Sequence, residues 1–141
     1  MAISAGPLFR FNPSVSFIVN FDPSRIKNAR EELDAVWERL SEEGKALMPL
    51  DEYPFSKRYG WIEDKYGLSW QLILTNPEGE PRPPIVPSLL FVSDTCDKAE
   101  DAIDFYLSVF KNAPLTSSGQ TKRGQIVRYP KGMEPNKEGS I

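Results

Sequence analysis

The chain has 141 residues, 40% hydrophobic and 26% charged, with a net charge of −3 and no histidine. It suits one compact domain or two half-sized modules sharing a core, and it lacks the basic stripe that nucleic acid requires. The missing imidazole excludes Ser-His-Asp and Cys-His nucleophile arrangements and any histidine metal site. The single cysteine, Cys96, excludes an intrachain disulfide and suits a reducing cytoplasm.

Residues 1–7 alternate weakly and read as a short edge strand ended by Gly6-Pro7, with Phe9 and Phe11 in the loop beyond. Val15 to Val19 is strand-forming. Asp22 is placed to cap a helix with Pro23 at its first position. That helix carries Ile26, Ala29, Leu33, Val36, Trp37 and Leu40 at spacings of three and four, one apolar stripe. Its Glu31, Glu32, Glu38, Arg39 and Glu42 form a solvated face, and Gly44 is the expected C-terminal cap.

Ala46 to Leu50 reads as a short strand. The stretch Tyr59 to Leu72 then reads as a hairpin, with Asp64-Lys65-Tyr66-Gly67 as its break and Gly67 supplying the positive φ of a tight turn. Leu68, Trp70, Leu72 and Leu74 alternate with Ser69, Gln71, Ile73 and Thr75, one apolar face and one mixed face. Trp37 and Trp70 are assigned to the core, and an ion pair of Glu63 or Asp64 with Lys57 or Lys65 is expected beside the turn.

Residues 76–84 contain four prolines and have the composition of an extended linker. The second half begins with a strand from Ile85 to Val92. Asp94 or Thr95 then caps a helix whose stripe is Ala99, Ala102, Ile103, Tyr106, Val109 and Phe110. Short extended runs at 113–116 and 124–129 precede a loop-like tail, and Lys122-Arg123 reads as a solvated turn. The halves echo each other, and on pattern alone the fold class is α+β. Cys96 sits at a helix start, where an idle thiol is the simpler reading in a chain without a histidine base. No signal peptide and no apolar run of about 18 residues is present.

The string Gly60-Trp61-Ile62, then Asp64-Lys65-Tyr66-Gly67-Leu68-Ser69-Trp70-Gln71, closely resembles the last hairpin of the PhnB-like branch of the glyoxalase/bleomycin-resistance (vicinal oxygen chelate) superfamily. Ile85 to Val92, followed by Ala99-Glu100-Asp101-Ala102-Ile103-Asp104-Phe105-Tyr106 and Phe110, is similar to the opening strand and helix of the same family. The resemblance implies paired βαβββ modules whose curved sheets enclose a concave pocket, with helices outside. It also implies an unusual order. Residues 1–75 look like the C-terminal-type module and 76–84 like the linker. Residues 85–141 look like an N-terminal-type βαββ module, completed by pairing with residues 1–7 or with a partner chain. A piece of a longer tandem protein and a permuted whole both fit. A homodimer, strand-exchanged or side by side, follows as the expected assembly.

Superfamily enzymes hold a divalent metal through His and Glu side chains on sheet strands. At the matching places this chain has Val15-Ser16, Pro87-Ser88 and Gln71, neutral groups that bind transition metals poorly. No cofactor is therefore expected, and a divalent metal would have to bind without the usual ligand histidines. Members of this branch are sometimes labelled demethylubiquinone methyltransferases, yet the sequence has no strand, Gly-rich turn and helix to hold a nucleotide-like cofactor. The resemblance leaves a pocket for a small molecule, with Trp61, Ser69, Gln71, Ser88 and Phe91 as candidate ligand-binding residues and Ser16 and Tyr59 beside them. For the aromatics, plain core packing is the simpler role. A metal-dependent lyase, dioxygenase or thiol transferase using carboxylates from elsewhere is the alternative; a structural fragment with a vestigial pocket is another. Neither nucleic acid nor membrane is expected as a partner.

Overall fold

The computed structural model describes residues 11–111. The strand expected at 1–7, the runs at 113–116 and 124–129, and the tail lie outside them. The chain divides into two compact units, Met1–Leu89 and Leu90–Ile141. The fold class is α+β, with five strands and two α-helices among the described residues.

In the first unit the elements run β1 (Val15–Phe21), α1 (Ala29–Ser41), β2 (Lys45–Tyr53), β3 (Ser56–Glu63), β4 (Ser69–Leu74) and β5 (Ile85–Leu89). They form one sheet in the order β2-β3-β4-β1-β5. β1 and β4 are parallel; every other neighbouring pair is antiparallel. β5, from the second half of the sequence, is thus the edge strand beside β1. It ends at Leu89 rather than Val92, because its last partner, Val15, is the first residue of β1. Ahead of it, Asn20 holds the proline-rich stretch through a backbone bond to Pro84 (2.8 Å) and a side-chain bond to Pro83 (2.8 Å).

Helix α1 covers one face of this sheet. Ala29 and Leu33 are buried with Phe21 of β1 and Leu72 of β4, and Ile26, Val36, Trp37 and Leu40 pack around them. All six residues of the expected stripe therefore face the core. Gly60 explains how the helix comes so close. A Cβ at that position would sit 2.5 Å from Trp37 Cζ3, so the missing side chain is the notch that receives the indole. Arg58 of β3 donates to Asp34 of α1 at 2.7 Å and ties the helix to the sheet from its flank.

The helix ends differ from expectation. Asp22 caps only an isolated turn: its carboxylate accepts from the Ser24 amide (2.9 Å) and hydroxyl (2.7 Å), and its carbonyl from Arg25 and Ile26. The helix proper starts seven residues later, after Asn28, with no side-chain cap. At the other end the left-handed residue is Glu43 (φ 59°), and Gly44 follows it with an amide bonded to Ser41. β2 is longer than the expected five residues, and its pairing with β3 is broken by three register shifts. Those shifts and Pro49 blunt an exposed sheet edge.

In the second unit, a 3-10 helix over Ser93–Lys98 precedes α2 (Ala99–Val109). Thr95 does not cap α2; its amide and hydroxyl both donate back to the Val92 carbonyl. No residue of α2 is buried, and Phe105, Tyr106, Val109 and Phe110 of its apolar stretch are exposed. No helix among the described residues is long and apolar enough to cross a membrane.

Candidate functional site: the open face of the sheet

The hairpin between β3 and β4 builds one end of the site. Gly67 takes φ 83° as its position in the break requires. Asp64 closes the turn: its carboxylate accepts from the amides of Tyr66 (2.9 Å) and Leu68 (3.0 Å) and from the Trp70 indole (2.9 Å). Asp64 is thus spent on backbone and indole donors, and Lys65 approaches Glu43 instead (3.8 Å). The expected ion pair between them does not form, because three N–H donors already fill the carboxylate. Trp70 is half-buried, with its ring tilted on Phe17 at 5.4 Å between centroids. It clasps the hairpin at the margin of the core rather than filling its centre.

Strand alternation sends every second residue to the face away from α1. Register places Trp61 opposite Gln71, Glu63 opposite Ser69, Ser16 opposite both Ser69 and Ser88, and Ile18 opposite Gln71 and Val86. Trp61, Ser69, Gln71 and Ser88, four of the five candidate residues, therefore share one face with Tyr59 and Ser16. Phe91 falls in the second unit, where it is half-buried.

The polar groups of this face are joined. The Tyr59 hydroxyl donates to Gln71 Oε1 (2.7 Å), and Gln71 Nε2 donates to Ser16 Oγ (2.7 Å). Beside them, Trp61 Nε1 donates to Ser69 Oγ (2.6 Å). Ser16 and Ser69 are each only 1% exposed, whereas Trp61, Gln71 and Ser88 are half-exposed. The two serines thus lie beneath the layer that solvent meets and hold Gln71 and Trp61 in place. Further along β1, Asn20 is 6% exposed and its Oδ1 has no donor among the described residues.

The donor set decides what could bind here. Hydroxyls and a carboxamide already committed to one another suit neither Zn²⁺ nor a similar ion, which takes thiolate, imidazole or carboxylate. Glu63 and, opposite Tyr59, Asp51 are the acids in register on this face among the described residues. Among the described residues no three Cys, Asp or Glu side chains gather closely enough to hold a metal. A nucleotide-like cofactor fits no better, since the turn from β1 towards α1, Asp22-Pro23-Ser24, contains no glycine to bring backbone amides around phosphate. Sequence reasoning found Gln71 but missed its partnership with Tyr59 and Ser16. Tyr59 and Gln71 are 12 apart in the chain and Ser16 and Gln71 are 55 apart, so only strand order joins them.

Residues 1–73 match the family described as 3-demethylubiquinone-9 3-methyltransferase, a family of the glyoxalase (vicinal oxygen chelate) type. The chain belongs to this family. Three solved structures are similar to this family member. A PhnB protein from Bacillus cereus, whose name repeats the family description, is 44% identical over 50% of each chain, with a TM-score of 0.44. Protein PA1353 from Pseudomonas aeruginosa is 23% identical over 50% of this chain and 47% of that one (TM-score 0.41). A protein from Staphylococcus aureus is 30% identical over 42% and 45% respectively (TM-score 0.34). The chain spans about half the length of the Bacillus cereus protein. No curated protein matches it.

Proposed function

We propose that this glyoxalase-type chain binds a small molecule on the open face of its sheet and does so without a metal ion. One observation carries the reading. Gln71 stands where the family resemblance expects a metal-binding carboxylate, and its carboxamide is clamped between Tyr59 and Ser16. A fixed, half-exposed carboxamide beside a fixed indole is a hydrogen-bonding and stacking surface of the kind that orients an organic ligand. In this reading Trp61, Gln71 and Ser88 meet the ligand, and Ser69 and Ser16 support them.

The assembly is proposed to be a homodimer in a reducing cytoplasm, with the proline-rich 76–84 stretch long enough to let β5 pair within the chain or with a second copy. Methyl transfer is not part of the proposal, because the described residues supply no cofactor-holding turn.

Native mass spectrometry of the purified protein, alone and with Zn²⁺, Ni²⁺ or Mn²⁺, tests the reading. A metal-free dimer whose melting temperature rises with a saturating organic ligand supports it. One tightly bound metal per chain, lost on Gln71→Ala, overturns it in favour of a metal-dependent enzyme.

A further inference from the structure

A second recess lies at the β2–β3 turn end of the sheet. Where β2 turns into β3 and β4 runs out, a cavity of about 780 Å³ opens between the β2–β3 turn, Pro23, and the residues following β4. That volume is in the range of small-molecule sites, roughly 300–1,000 Å³. None of Trp61, Ser69, Gln71 and Ser88 lines it.

Its aromatic wall is built rather than incidental. Tyr53 and Phe55 stack with centroids 5.6 Å apart and planes 19° from parallel. Both meet the Tyr59 ring edge-on, at 5.6 and 4.9 Å. Tyr59 is in turn fixed by its bond to Gln71 (2.7 Å), so the wall is anchored in the sheet. Yet Phe55 remains 61% exposed, a large apolar ring left at a turn beside open space.

Charge points to what the wall would meet. Glu52, Glu78 and Lys57 line the same cavity, and none of the three is in an ion pair among the described residues. Aromatic faces are electron-rich and attract cations, and two unpaired carboxylates act in the same direction. Lys57 opposes them, but it is exposed and its stem is long enough to swing the ammonium away. We infer that this cavity takes a small organic cation with an aromatic or alkylated ammonium head. The head packs on Phe55 and Tyr53, and Glu52 and Glu78 answer its charge. The wall shares Tyr59 with the Gln71 surface, but the inference needs no ligand there, and shifts confined to 52–57 and 74–78 tell the two apart.

The test is titration of the full-length ¹⁵N-labelled protein with phenyltrimethylammonium, followed by amide NMR, with benzoate as the anionic control. Expected are saturable shifts confined to the amides of 52–57 and 74–78, weakened by added salt. Phe55→Ala should weaken binding by about twofold to fivefold, the range of an exposed cation–aromatic contact. The double variant Glu52→Gln, Glu78→Gln should weaken it comparably, and Lys57→Ala should tighten it. All are exposed positions, and retained spectral dispersion verifies that each variant folds. Equal binding of benzoate, shifts that map elsewhere, or weaker binding by Lys57→Ala would each overturn the assignment.

Discussion

The two faces of the sheet are built on opposite principles. Under α1, contact is apolar and dense: Leu33 and Leu72 are completely buried, and Gly60 has given up its side chain so that Trp37 can fit. On the other face, side chains are held by direction rather than by area, through Tyr59–Gln71–Ser16 and Trp61–Ser69. An apolar face tolerates any arrangement that fills the volume. A hydrogen-bonded face fixes the orientation of each group, which is what a recognition surface needs. The same strands serve both ends because alternate residues answer to different neighbours.

The sharpest way to break this comparison is to remove volume from the first face. Leu33→Ala should cost about 2–5 kcal/mol in urea unfolding, the range for a fully buried leucine whose cavity cannot collapse. The Trp61–Ser69 and Gln71 bonds should survive in the remaining folded protein. A cost below that range would mean that α1 is loosely docked. Adding volume acts in the same direction with a smaller effect. Gly60→Ala places a methyl group against the Trp37 ring and should cost about 1–3 kcal/mol. Combining it with Trp37→Leu should recover part of that loss, since the clash is with the indole alone; a purely additive double variant would assign the cost to the backbone instead.

The first face was legible in the sequence and the second was only half so. A helix stripe repeats at a fixed spacing within 15 residues, so Ile26 to Leu40 declared their common side without any knowledge of the fold. The hairpin was equally plain, because Gly67 and the alternation of Leu68 to Thr75 are local signals. Helix α1's true start was hidden, since Asp22 and Pro23 form a genuine cap signal that the chain uses for one turn only. The role of Asp64 was misread for a related reason: beside two lysines a carboxylate invites an ion pair, but nearby amides are closer and already ordered. The Ser16–Gln71 contact depends on β1 lying parallel to β4, a long-range pairing that no local pattern encodes. The β2–β3 turn cavity was missed outright, as its walls come from three separated segments.

Breaking the second face should cost less than breaking the first. Gln71→Ala removes the acceptor of the Tyr59 hydroxyl and the donor to buried Ser16, and should cost about 1–3 kcal/mol. Tyr59→Phe deletes one bond and leaves the half-exposed Gln71 Oε1 to water, so about 1 kcal/mol or less is expected. The double variant separates coupling from simple loss. A cost equal to that of Gln71→Ala alone shows that the hydroxyl contributes only through Gln71, whereas a full sum shows two independent contributions and no joined surface.

The smallest effect lies at the turn between β1 and α1, and there only pH reveals it. The Asp22 carboxyl titrates below its ordinary value, chiefly because the Ser24 hydroxyl donates to it, then because the Ser24 amide does, with Arg25 adding a weaker attraction. A carboxylate depressed on folding contributes stability above its unfolded-state pKa and loses it as pH falls through the lower, folded value. Ser24→Ala takes away the largest cause. The Asp22 pKa, followed by carbon NMR of its side chain, should rise towards the ordinary aspartate range, and the stability gap between wild type and variant should narrow in acid. The amide bond and Arg25 remain, so the rise should be partial. A full return would mean that the turn itself opens without the hydroxyl. An unchanged pKa would mean that the backbone alone holds the charge, and the entry to α1 would then be fixed by main-chain geometry before any side chain acts.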